Sequence, residues 1–81
     1  NAFTKHQNEI LRRAKQVITI YEDMAELIRL GAYRKGSDPL VDEAILLYPE
    51  LERFLTQDKE EQTNIHDGFV QLSKILGMEY S

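Results

Sequence analysis

This chain of 81 residues contains no cysteine. That excludes disulfides, cysteine nucleophiles and thiolate metal sites, and it suits a cytoplasmic setting. No apolar run approaches the ~20 residues that a membrane-spanning helix needs. No secretory leader is visible in this stretch either, because Lys5, Arg12, Arg13 and Lys15 interrupt the first apolar run. Neither GxxxxGK[ST] nor GxGxxG occurs, so the chain has no glycine-rich loop with which to cradle a triphosphate. His6 and His66 fall at the starts of different helical patterns, with no Asp/Glu/His set at metal-ligand spacing. Solvated or capping roles are expected for both, and no metal site is expected. A net charge of -4 argues against a dedicated nucleic-acid module while leaving room for a local basic patch.

What is present reads as one small all-α domain over residues 1–81. Hydrophobic residues make up 42% of the chain and charged residues 30%, a balance that fits a packed helical domain and not a disordered one. Thr4 with Gln7 forms a capping-box pattern, after a lead-in at Asn1–Phe3 that is expected to fray. Ile10, Ala14, Val17, Tyr21, Met24 and Ile28 then recur in steps of four and three, with Leu11, Ile18 and Leu27 widening the stripe, which predicts a helix over residues 5–30. The β-branched run Val17–Ile20 is locally strand-like, but the surrounding periodicity outweighs it.

Gly31 stands where a left-handed helix stop is wanted, and Asp38-Pro39 is an N-cap followed by proline at the first helical position. A second helix is predicted over residues 39–56, with Leu40, Val41, Ala44, Ile45, Tyr48, Leu51, Phe54 and Leu55 as its apolar set. Pro49 is expected to kink or split it, because the ring removes a helical hydrogen bond. The short connection Gly31–Ser37 predicts an antiparallel helix-turn-helix. Gln57–Gln62 is polar and reads as a linker, Thr63 as a cap, and Ile65, Phe69, Leu72 and Leu76 as the stripe of a third helix over residues 64–76. Gly77 stops it, and Met78–Ser81 is expected to form a loose tail. The fold class is therefore a bundle of three helices, with Phe54 and Phe69 in the shared core.

Glu22, Asp23 and Glu26 fit the solvated face of the first helix better than a catalytic cluster. The exposed feature of interest is the tip of the turn: Tyr33, Arg34 and Lys35, with Arg29 one helical turn earlier. These four are the candidate partner-binding residues. They are polar and flanked by Gly31 and Gly36, so their side chains are expected to project from the end of the bundle.

The same stretch carries a family resemblance. The pattern GAY-x-x-GSDP-x-x-DEAI, from Gly31 to Ile45, resembles the C-terminal domain of the flagellar protein-export ATPase. It is also similar, more loosely, to that domain of type III secretion ATPases, and distantly to the rotary ATP synthase β subunit. Arg12-Arg13-Ala14 upstream, and Leu51, Phe54, Leu55, Gln57 and Gly68-Phe69 downstream, extend the resemblance over nearly the whole chain.

The resemblance implies a parent that is a homo-hexameric ATP hydrolase energising protein export. That parent would be peripheral to the membrane at the cytoplasmic export apparatus, with ATP and magnesium bound elsewhere in it. An opening Asn in place of Met accords with a piece of a longer protein. The partners implied are neighbouring subunits, a coiled-coil stalk protein, and export substrates or their chaperones, with no nucleic acid. In rotary relatives the matching turn carries an acidic motif that touches the central shaft, whereas here it is basic at Arg34 and Lys35. The resemblance also places Gln57, Asp58 and Lys59 next to a nucleotide, without the aromatic that relatives offer there. The piece itself is expected to be non-catalytic. Two other readings are a stand-alone helical interaction module and the equivalent domain of a rotary ATP synthase subunit. A GxxxxGK[ST] loop upstream in the reading frame would exclude the stand-alone module.

Overall fold

The computed structural model describes residues 3–61 and 64–80; of 58–61 it describes only the backbone. Thr4 opens the first helix, α1 (Lys5–Arg29). Its hydroxyl accepts the Gln7 amide at 3.0 Å, and Gln7 Oε1 accepts the Thr4 amide at 2.9 Å. The reciprocal pair satisfies two amides, one of them among those a first turn otherwise leaves without a partner. At the far end Gly31 adopts φ 71°. Its amide donates to the Ile28 carbonyl at 3.1 Å, and the Ala32 amide donates to the Leu27 carbonyl at 2.8 Å, the two bonds of a Schellman stop. A Cβ at Gly31 would meet nothing within 4 Å, so the preference for glycine is purely conformational.

Asp38 caps the second helix, α2 (Pro39–Glu61), its Oδ1 accepting the Leu40 amide at 3.0 Å. Two expectations for this helix change. First, α2 is not split at Pro49; the helix is continuous through it. Pro49 itself is exposed, while Ala44 and Leu51 on either side of it are buried, and Tyr48 stacks on Tyr21 of α1 with ring centroids 4.0 Å apart. Packing on both sides of the proline holds the segment helical despite one missing amide. Second, the helix passes 56 and takes in most of the segment read as a linker, through Glu61. Gln, Lys and Glu are good helix formers, and no glycine or proline interrupts them, so charge alone was no stop signal. Gln62 and the expected cap Thr63 lie outside the described residues. The third helix, α3 (Ile65–Leu76), is capped by Asn64, whose side chain accepts the Asp67 amide at 2.8 Å.

Each helix touches both others. The core takes Ile10, Ala14 and Val17 from α1, Val41, Ala44 and Leu51 from α2, and Phe69, Leu72 and Leu76 from α3. Ala14 and Ala44 are small enough to let backbones approach, while Ile10 and Leu51 supply the fully enclosed volume. The buried Ser73 hydroxyl donates to the Val70 carbonyl at 2.8 Å, so it is enclosed with its donor satisfied. The stripes are narrower than the sequence suggested: Ile65 is 65% exposed, and Leu27 and Leu55 are also exposed. Phe69 is buried as expected, whereas Phe54 is half-buried and packs against the core from its edge.

The two ends depart furthest from expectation. Phe3 sits edge-on to Phe69 at 5.7 Å, so the lead-in is held at Phe3; Asn1 and Ala2 lie outside the described residues. The tail is also docked: Met78 and Tyr80 pack on the core, and the Tyr80 hydroxyl accepts from Gln7 Nε2 at 2.8 Å. The Tyr80 ring lies beside His6, His66 and Phe69. An aromatic gains substantial burial wherever it finds a neighbour, and composition does not reveal a neighbour more than seventy positions away.

His6 links the two ends electrostatically. Its Nε2 meets the Glu79 carbonyl and its Nδ1 lies 3.3 Å from Glu9 Oε1, so both ring nitrogens face acceptors. The Glu79 carbonyl, and after it the Glu9 carboxylate, raises the His6 pKa above its usual 6.5. A raised folded-state value means that the contribution to tail docking is complete below the unfolded pKa and is lost as pH rises through the folded one. We expect an NMR titration of the His6 ring to give a midpoint above 6.5, with Tyr80 signals moving towards undocked positions on the alkaline side. A midpoint at or below the ordinary histidine value, with Tyr80 indifferent to pH, would show that His6 does not hold the tail.

Candidate functional site

The turn between α1 and α2 is built as a frame with two cations on its outside. Its centre is Asp42, in the first turn of α2. The Asp42 carboxylate accepts the Gly36 amide at 3.0 and 3.2 Å and the Tyr33 hydroxyl at 2.8 Å. The Tyr33 oxygen in turn accepts the Asp38 amide at 3.2 Å. Gly36 has φ 93°, a conformation that glycine reaches without strain and that aims its amide at the carboxylate. On the outer side of the turn, Ser37 donates both its amide, at 3.1 Å, and its hydroxyl, at 2.7 Å, to the Arg34 carbonyl. A carboxylate close to a helix N-terminus also sits favourably in the helix dipole. Loss of water around the Tyr33 ring, followed by the Asp42 carboxylate, pushes the phenol pKa above 10.0, which keeps it a proton donor at neutral pH.

Tyr33 therefore does not project from the bundle as the sequence suggested. It is half-buried and braces the turn. Arg34 and Lys35 are exposed, and neither has an ion-pair partner among the described residues. Arg29 is exposed too, but its guanidinium lies 2.7 Å from Glu26 Oε1. Such a pair contributes only ~0–1 kcal/mol, so Arg29 can leave it readily. The structure thus brings Tyr33, Arg34 and Lys35 onto one rigid turn, with Arg29 a helical turn away. Gln57 is exposed on α2; the side chains of Asp58 and Lys59 lie outside the described residues.

Two features of this end were missed in the sequence. Asp42 organises the turn, and its signal was an acidic residue just inside a helix preceded by a glycine loop. Below the turn, Ile28, Ile45 and Leu46 line a shallow groove with Tyr33, Lys35 and Asp42. Leu46 is 71% exposed. Its signal was its place next to Leu47: two adjacent leucines on a helix point about 100° apart, so both cannot face one narrow core. Among the described residues no group of three or more His, Asp or Glu side chains is placed to hold a metal ion, and no helix is long and apolar enough to cross a membrane.

Comparison with known proteins adds the family. Residues 3–74 match the model of the type III secretion family described as the T3SS EscN ATPase C-terminal domain. The chain belongs to this family. The matched span includes all but the last residues of α3, the whole turn and both its cations. Among similar proteins are flagellum-specific ATP synthases. That of Caulobacter vibrioides is 53% identical over 75 residues, covering 93% of this chain and 17% of the relative. That of Treponema pallidum is 39% identical over 70 residues, covering 86% and 16%. That of Bacillus subtilis is 32% identical over 79 residues, covering 98% and 18%. The chain thus spans under a fifth of the length of these relatives. No solved structure matches it significantly. These similarities place the domain with the flagellar export ATPases.

Proposed function

We propose that this domain serves a hexameric flagellar export ATPase as its partner-contact end. The remainder of the parent binds ATP and magnesium and hydrolyses the nucleotide, while this domain packs against neighbouring subunits. Its basic turn meets the central coiled-coil stalk, and export substrates or their chaperones dock on the same domain. The parent works in the cytoplasm at the export apparatus. The observation that carries this reading is the pair Arg34 and Lys35, exposed and, among the described residues, without ion-pair partners, on a turn held by the Asp42 carboxylate. A rigid cationic tip loses little conformational freedom on binding. Copies of it around a ring would superpose their fields and accelerate entry of an acidic helical shaft.

Charge reversal tests the reading. Arg34→Glu with Lys35→Glu, placed in the full-length ATPase, should leave the fold intact because both side chains are exposed. Each exposed contact contributes only ~0–1 kcal/mol, so the effect should appear mainly as slower stalk association and reduced stalk-stimulated ATP hydrolysis, greatest at low salt. Unchanged stalk affinity and stimulation at every salt concentration would sink the basic-turn reading.

A further inference from the structure

We infer that Met78–Tyr80 is a strap that locks the start of α1: its docking and the first helical turn form and open as one unit, coupled through Gln7 and His6. The strap begins after Gly77, whose φ of 72° turns the chain back, and the Met78 amide closes that turn on the Ser73 carbonyl at 2.8 Å. The Tyr80 ring then lies among three others: His6 at 5.8 Å, His66 at 5.5 Å and Phe69 at 5.6 Å. Two consecutive residues of α1 grip two consecutive residues of the strap. His6 Nε2 meets the Glu79 carbonyl, and Gln7 Nε2 donates to the Tyr80 hydroxyl at 2.8 Å.

Gln7 is the coupling element because its side-chain amide works in both directions. The Thr4 backbone amide can only donate, so it holds the Gln7 oxygen towards itself at 2.9 Å and leaves the Gln7 nitrogen facing the phenol. One planar group therefore closes the capping box and holds Tyr80. Without the phenol, the Gln7 side chain regains rotamer freedom and its hold on the Thr4 amide weakens. A first turn frays readily, since its amides have no carbonyls of an earlier turn to reach. Here the Gln7 amide rests on the Thr4 hydroxyl at 3.0 Å and the Asn8 amide on the Thr4 carbonyl at 2.9 Å, so both depend on Thr4 staying in place. The matched family is a C-terminal domain, so the remainder of the parent joins ahead of α1. The strap thus determines whether that join runs into a closed helical turn or an open one.

The test uses the full-length ATPase and reads amide hydrogen exchange, which reports local opening. Tyr80→Phe keeps the ring among His6, His66 and Phe69 and removes only the oxygen to which Gln7 donates. It should speed exchange at the Gln7 and Asn8 amides about fivefold, the effect of one net hydrogen bond, while α2 around Ala44 keeps its protection. Tyr80→Ala, which also frees the ring, should speed exchange at the same amides further. In the other direction, Thr4→Ala removes the hydroxyl that accepts the Gln7 amide. It should move the Met78 methyl NMR signal towards its position in Tyr80→Ala, because a coupling between two sites is reciprocal. If Tyr80→Phe leaves Gln7 and Asn8 exchanging at the parent's rate, the strap does not hold the first turn and the proposal is overturned. If Thr4→Ala frays the first turn while the Met78 signal stays in place, the two elements open independently, which overturns it equally. Should Tyr80→Ala unfold the whole domain, the Tyr80→Phe exchange decides the matter alone.

Discussion

Phe69→Ala is expected to leave the domain largely unfolded at room temperature. Phe69 is 6% exposed in α3 and packs against the aromatic rings of both chain ends, Phe3 at 5.7 Å and Tyr80 at 5.6 Å. Truncating a buried phenylalanine costs about 3–5 kcal/mol, from lost transfer energy and from the cavity left behind. A domain of this size has little more than that in total. The cost should lie towards the upper end here, because Phe3 and Tyr80 lose their shared platform and would release with it. Phe54→Ala is the comparison, since Phe54 is only half-buried and its site can refill with solvent. Urea unfolding followed by far-ultraviolet circular dichroism measures both. A Phe69→Ala midpoint no lower than that of Phe54→Ala would mean that Phe69 is not the centre of this cluster.

The second large effect is expected at Leu51. This side chain is 1% exposed and lies on the face of α2 turned to α1 and α3. Leu51→Ala should cost about 2–5 kcal/mol by the same cavity argument. Leu55, one helical turn later on the same sequence stripe, is 49% exposed, and Leu55→Ala should cost clearly less. Because Leu51 is only two residues from Pro49, its packing is also part of what keeps α2 continuous there. The Leu51→Ala protein should therefore lose hydrogen-exchange protection through the proline segment before it unfolds globally. Equal losses of stability from Leu51→Ala and Leu55→Ala would show that the sequence stripe, and not the packed face, governs the stability of α2.

The boundaries of the fold were largely legible. Thr4 and Gln7, Gly31, Asp38 with Pro39, and Gly77 each end or begin a helix where expected, because caps act through bonds spanning a few residues and need no distant partner. The failures share one cause. Ile65 repeats with Phe69 and Leu72, yet is 65% exposed, because period identifies a face without saying how wide the neighbouring surface is. Gln57–Glu61 stayed helical because low hydrophobicity is not a helix stop. At the candidate site the cations Arg34 and Lys35 were readable, since charge and glycine flanks are local. The inward turn of Tyr33 was not, because it depends on Asp42 nine positions on.

The sequence by itself determined that this is a three-helix domain without a phosphate loop, where its helices start and stop, and to which family the Gly31–Ile45 pattern belongs. Those properties reside in local hydrogen bonding and in contiguous motifs. Only the tertiary structure decided that Phe3 and Tyr80 meet on Phe69, that α2 runs unbroken past Pro49, that Tyr33 braces the basic turn, and that Leu46 is left bare beside it. Each of these depends on surfaces distant in sequence meeting at van der Waals distance. That meeting is fixed by how three helices share one small core, which no local pattern records.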